Sequence, residues 1–229
     1  MNLILVTGWA TTEEIWDRVL EHLPSHMDTL VLDWRRGMNG ELGMVLETVK
    51  NPVIAGWSLG GQLAMMEVAA APASVRGLVL LSSMTSLLET ENSPGVRAAV
   101  PKAIRGAIQK DRNRYMRGFF RECCASMEDS DACLLREQSK EISTESLLEG
   151  LDFMSENTAP LPSGIPAVLA HGLQDRIIPS LCSRYIHENL PGSDYVQFDG
   201  CGHMLPMEQP EAISRMILGM FTDSGCRLQ

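Results

Sequence analysis

No stretch of this chain is apolar for anything near the roughly 20 residues that a membrane-spanning helix needs. The opening run Met1-Asn2-Leu3-Ile4-Leu5-Val6 has only four consecutive apolar residues after Asn2, no basic flank and no small-residue cleavage site. It therefore reads as a strand and not as a signal peptide, and the cytoplasm is the expected location. Basic residues are in the minority, 19 against 29 acids with a formal net charge of −10, so neither a nucleic acid nor a membrane surface is an expected partner. Repeats and low-complexity tracts are missing as well. The six cysteines (123, 124, 133, 182, 201 and 226) lack metal-ligand spacing. In a chain with no secretory signal they read as free thiols, and no metal site is expected.

What is present fits one globular catalytic domain: 229 residues, 45% hydrophobic and 21% charged. Short apolar runs at 3–6, 29–32, 53–57, 75–81, 167–170 and 195–198 read as strands. Between them, 12–22, 41–50, 59–71, 180–189 and 209–221 carry apolar residues at helical spacing. This alternation predicts an α/β fold with a mostly parallel sheet of about six strands flanked by helices. Leu78-Val79-Leu80-Leu81 has the continuous apolarity of a parallel strand covered on both faces. The rhythm fails between the fourth and fifth strands, where helical patterns rich in Arg, Met and Glu replace any strand signal. Residues 84–163 are therefore expected to form a helical cap inserted into a core made of 1–83 and 164–229, lying over the carboxyl ends of the strands.

Gly56-Trp57-Ser58-Leu59-Gly60 matches G-x-S-x-G, following a predicted strand and opening a predicted helix. In that context the small flanking residues permit a sharp turn that lifts the Ser58 hydroxyl above the sheet as a nucleophile. A serine needs a base, and the base an orienting acid. Asp175, in His171-Gly172-Leu173-Gln174-Asp175, and His203, in Asp199-Gly200-Cys201-Gly202-His203, each follow one of the next predicted strands, in the order Ser, Asp, His. The backbone amides of Leu59 and Trp9 are the expected donors to a developing oxyanion, with Gly8 shaping the turn that aims Trp9. His171 is expected to end its strand and orient the Asp175 loop. His22, His26 and His187 read as solvated.

Charge is unevenly spread. Residues 97–121 hold eight basic side chains (Arg97, Lys102, Arg105, Lys110, Arg112, Arg114, Arg117 and Arg121) and a single acid, Asp111. A basic segment on an acidic protein points to an anionic partner. Lys110, Arg114, Arg117 and Arg121 recur at the spacing of one helix face, and Tyr115 with Phe119 on another.

These residues resemble the α/β-hydrolase superfamily and, within it, the pimeloyl-[acyl-carrier protein] methyl ester esterases of biotin synthesis. The resemblance covers nearly the whole chain. Thr7-Gly8-Trp9 is similar to that family's oxyanion segment, and Gly56-Trp57-Ser58-Leu59-Gly60-Gly61 to its nucleophile elbow. Residues 171–179, together with Gly202-His203 and Glu208-Gln209-Pro210, are similar to its acid and base loops. The resemblance implies an α/β-hydrolase fold and a serine esterase without cofactor. It also implies an acyl-carrier protein held by cap cations, here Lys110, Arg114, Arg117 and Arg121, and an acyl tunnel lined by Trp9, Phe119, Phe120 and Cys123. Three departures stand out: the leading hairpin is missing, Thr7 replaces the usual His, and Cys123 stands where the family often has Gln. A general carboxylesterase, thioesterase or lactonase would use the same three residues. A non-catalytic receptor on this fold would have no need of them. A monomer is the expected state.

Overall fold

In the computed structural model of the protein, which describes residues 1–222, the strands are β1 (Asn2–Val6), β2 (Asp28–Leu32), β3 (Val53–Trp57), β4 (Gly77–Leu81), β5 (Ala167–Gly172) and β6 (Asp194–Phe198). They form one parallel sheet in the order β2-β1-β3-β4-β5-β6. Every residue of β3, β4 and β5 is buried, which is why their sequences run apolar without alternation. The edge strands β2 and β6 are only partly covered. The chain reverses its direction of travel across the sheet between β1 and β3, and such switch points leave a crevice at the carboxyl ends of the strands.

The helices are α1 (Asp17–Leu20), α2 (Trp34–Met38), α3 (Glu41–Thr48), α4 (Leu59–Ala70), α5 (Ala99–Cys123), α6 (Asp129–Gln138), α7 (Thr144–Glu156), α8 (Leu181–Asn189), α9 (Leu205–Glu208) and α10 (Pro210–Gly219). Helix α4 packs on β3 and β4, and α10 on α1. Helices α5, α6 and α7 occupy the interval between β4 and β5 and pack mainly on one another. Interactions that tie them to the rest of the chain include Arg18 on α1 with Asp131 on α6 (2.6 Å), Arg176 with Glu122 on α5 (3.3 Å), and Trp9 Nε1, which donates to the Leu147 carbonyl on α7 (2.9 Å). Among the described residues no helix is long and apolar enough to cross a membrane.

Four local differences from the sequence reading have physical causes. The helix expected over 12–22 is a 3₁₀ turn, Glu13–Trp16, followed by the single turn of α1. Pro24 disfavours helical geometry at Leu23, so the segment ends early. Helix α2 was not expected, being only five residues long, although Asp33 caps it by accepting from the Arg35 amide (2.8 Å). Strand β5 runs two residues further than expected and takes in His171. Finally, α5 is not one straight helix: Asp111 has extended backbone angles (φ −161°, ψ 89°), and its Oδ1 accepts from the Arg114 amide (3.0 Å). Asp111 thus begins a second helical segment, and Lys110 does not lie on a continuous face with Arg114, Arg117 and Arg121.

Candidate active site

Ser58 sits between the end of β3 and the start of α4 with φ 55° and ψ −120°, a left-handed strain that a non-glycine residue adopts only when its surroundings impose it. Three hydrogen bonds do so. The Ser58 amide donates to the Leu81 carbonyl at the end of β4 (2.8 Å), and the Ser58 carbonyl accepts from Gly61 (3.0 Å) and Gln62 (3.3 Å). The turn is tight enough that a β-carbon on Gly60 would strike the Val6 and Thr7 carbonyls, and one on Gly61 would occupy the place of the Ser83 hydroxyl. The glycines after the serine are therefore demanded by packing against β1 and the chain after β4.

The structure brings Ser58, His203 and Asp175 together. Ser58 Oγ lies 3.1 Å from His203 Nε2, and His203 Nδ1 lies 2.7 Å from Asp175 Oδ2. All three are buried, so little water competes for these bonds. Asp175 Oδ1 accepts from the Ile177 (2.8 Å) and Ile178 (3.0 Å) amides. Burial pushes the Asp175 carboxyl up, but its attraction for His203 in the imidazolium form and the hydrogen bonds from His171 and His203 outweigh it and hold the group well below the usual carboxylate range. Asp175 is thus an anion facing the Nδ1–H of His203. That leaves the Nε2 lone pair free to accept the Ser58 proton, an arrangement able to generate a serine nucleophile.

Several supports carried no role in the sequence reading. Trp57 Nε1 donates to the His203 carbonyl (2.7 Å), and its ring stands 5.1 Å from the imidazole. Glu208 on α9 accepts the Gly202 amide on both oxygens (2.8 and 3.1 Å) and also contacts the Ser126 hydroxyl, pinning the loop that carries His203. Thr7 Oγ1 accepts from the Trp34 amide (2.9 Å), fixing the start of α2. The glutamate was visible in Glu208-Gln209-Pro210; the other two contacts depend on through-space neighbours that no local pattern announces. His187, expected in solvent, is half-buried, with Nδ1 2.8 Å from Ser193 Oγ and its ring stacked on Tyr195. His22 and His26 are exposed.

Trp9 follows β1 and Gly8, beside the elbow. Its amide makes no backbone hydrogen bond among the described residues. Leu59 opens α4, where the first amides of a helix have no carbonyl within it to bond. Trp9 lines the cavity together with Ser58, and Leu59 directly follows Ser58 in the chain.

Ser58 and His203 open into a small cavity of about 60 Å³, otherwise walled by apolar side chains that include Trp9, Leu87, Ile104, Phe119 and Met154. The walls join an adjacent open groove of about 740 Å³, which shares Phe119 and Ile177 with the cavity and is also lined by Lys110, Arg114, Tyr115 and Arg176. Phe119 stands edge-on to Trp9 (5.1 Å) and stacks with Tyr115 (6.2 Å). The expected wall residues Phe120 and Cys123 do not line the cavity; both are fully buried in the core cluster. Arg117 faces a separate hollow with Arg112, Arg136 and Lys140, and Arg121 is exposed. Lys110, Arg114, Arg117 and Arg121 form no ion pair among the described residues, whereas Arg105 pairs with Asp152 and Arg112 bonds the Ser139 and Ile142 carbonyls.

The chain is similar to known proteins. The sequence profile of the alpha/beta hydrolase family matches residues 3–216. The chain is 25% identical to a pimeloyl-[acyl-carrier protein] methyl ester esterase of Klebsiella pneumoniae, covering 98% of this chain and 95% of that protein. It is 24% identical to a protein of the same name from Yersinia enterocolitica, over 95% of this chain and 92% of that one. Among solved structures, an esterase from Exiguobacterium antarcticum superposes with a TM-score of 0.85 at 15% identity, covering 97% of this chain and 92% of that one, a likeness of fold. With the match of the family profile extending over almost the whole described chain, this protein belongs to the alpha/beta hydrolase family.

Proposed function

We propose that the protein is a serine carboxylesterase that hydrolyses the methyl ester of pimeloyl-[acyl-carrier protein] to pimeloyl-[acyl-carrier protein] and methanol, a step of biotin synthesis. The observation that carries the hydrolytic part is the Ser58–His203–Asp175 hydrogen-bond relay on a strained elbow. Ser58 Oγ attacks the ester carbonyl while His203 Nε2 takes its proton. The carbonyl oxygen becomes an oxyanion held by the Trp9 and Leu59 amides. Collapse of this intermediate breaks the bond to the methoxy group, to which His203 returns the proton, and methanol leaves. A water molecule then gives a proton to His203 and attacks the acyl-serine; as the bond to Ser58 Oγ breaks, His203 passes that proton to Oγ, so the acid leaves and Ser58 and His203 are both restored.

The substrate is supported by the relatives' names and by the site's two compartments. A cavity of about 60 Å³ has room for a small ester end, and the wide groove beside it, with Lys110, Arg114 and Arg176 on its rim, suits the long arm of an acidic carrier. The same small cavity favours a second reading, a general carboxylesterase of short acyl esters. The deciding experiment compares kcat/KM on methyl pimeloyl-carrier protein with that on free methyl esters: a large preference for the carrier-borne ester is expected, and equal values would leave the general esterase. Ser58→Ala and His203→Ala are each expected to lower turnover by several orders of magnitude and, for Ser58→Ala, to abolish labelling by a fluorophosphonate. Retention of more than about a tenth of wild-type turnover in Ser58→Ala would remove the serine mechanism.

A further inference from the structure

His171 is wholly buried at the end of β5, four residues before Asp175, and the hydrolytic relay does not pass through it. Its Nε2 is hydrogen-bonded to the Ile178 carbonyl (3.0 Å) and stands at the same distance, in ion-pair contact, from Asp175 Oδ2. Neither partner has a proton to give, so Nε2 must carry one and donate. On the other side Nδ1 meets Ser183 Oγ at 2.7 Å, and that hydroxyl is 3.2 Å from the Ser83 carbonyl just past β4. Asp175 Oδ2 therefore faces two imidazole N–H groups, from His203 and His171, while Oδ1 takes two backbone amides. A carboxylate offers about four acceptor sites; three here take hydrogen bonds, and the fourth faces the Nε2–H that His171 also gives to the Ile178 carbonyl.

We propose that His171 is a positioning residue for the hydrolytic reaction: by sharing its Nε2–H between the Ile178 carbonyl and the second acceptor site of Asp175 Oδ2 it fixes the carboxylate against His203 and tempers its pull on the His203 proton. The inference rests on the relay described above and adds a fourth side chain to it. Without the donor from His171, the carboxylate is more basic, His203 holds its second proton to higher pH, and the serine is activated only at higher pH. The direction is the same whether His171 is neutral or charged, since either form donates at Nε2. The other groups packed around the pair do not compete for this role. Cys123 on α5 and Cys182 on α8 are buried thiols that burial keeps protonated, the latter pushed up to about 12. Glu208 is turned to the Gly202 amide, and Arg176 to Glu122.

Two substitutions separate this role from simple packing. Glutamine places an amide N–H near the position of imidazole Nε2, whereas asparagine reaches only as far as Nδ1. In kcat/KM–pH profiles on p-nitrophenyl acetate, His171→Gln is expected to keep the wild-type acid limb. His171→Asn is expected to move it upward by roughly half a unit to one unit, the size of one hydrogen bond divided by the energy of a pH unit. Acid limbs that coincide in all three proteins, or that move together in both variants, overturn the proposal. Should the variants fail to fold, ¹⁵N-histidine NMR of the wild-type protein decides the matter: a His171 protonated at Nε2 is expected, and an unprotonated Nε2 overturns it. A wild-type protein with neither ester turnover nor fluorophosphonate labelling at Ser58 would refute the esterase reading instead, with the NMR result still standing on its own.

Discussion

Several bonds converge on Asp175, and its ionisation has a kinetic consequence. Because its carboxyl is held below the ordinary range, it stays an anion throughout the pH interval in which an esterase works. The acid limb of kcat/KM should then report the protonation of one group, His203, with unit slope and no second inflection down to about pH 5, above the ordinary carboxylate values. A pH–rate profile on a small neutral ester checks this, and a slope of two would show Asp175 or His171 titrating with the base. The same shift bears on stability. The contribution Asp175 makes to the fold is complete above its ordinary value of 3.8 and is lost as pH falls through the lower, folded-state value. How much of this was legible depends on the residue. Ser58, Asp175 and His203 were readable because each follows a strand and stands in a glycine-bearing loop. The contact of His171 with Asp175 was not, because it arises only when β5 and its loop are folded. Phe119 and Phe120 show the limit most sharply: adjacent on a helix, they diverge by about 100°, so one meets the cavity and the other the core.

Among the elements, the sheet was the most legible part and α5 the least. Continuous apolar runs mark β3, β4 and β5, since a strand covered on both faces has no polar side to show. Helix α5 carries helical spacing through Asp111, and spacing alone cannot reveal that the aspartate folds back on the Arg114 amide. Its side chain offers the backbone a local partner that competes with the helix interior, the property that makes aspartate a good first residue. Asp111→Ala removes that cap and should lower stability by about 1 kcal/mol in urea unfolding, the usual cost of losing an N-terminal cap. An unchanged midpoint would mean that the bend is imposed by the packing of Ile108 and Met116 on either side of it.

At the scale of the whole molecule, a basic band lies on a protein whose remaining charge is strongly acidic. Attraction of an acidic carrier to that band would act mainly on the rate of encounter and would fade with salt, being screened over about 8 to 10 Å near physiological ionic strength. Arg114→Glu/Arg117→Glu should therefore raise KM for carrier-borne ester several-fold, and rising salt should do the same to the wild type. Hydrolysis of small uncharged esters should be indifferent to both. Parallel responses of the two substrates across a salt series would leave the band without a role in docking. The fold keeps the hydrolytic residues and the basic band physically apart. Trp57 precedes the nucleophile in β3 and also grips the carbonyl of His203, so the base rides on the same strand as the serine it serves. Ser58, Asp175 and His203 are all delivered by strand ends, while α5 to α7 supply walls and charge. Lineages descended from such a protein are thus free to rewrite the upper layer, exchanging one clientele for another, without re-learning how to cut an ester.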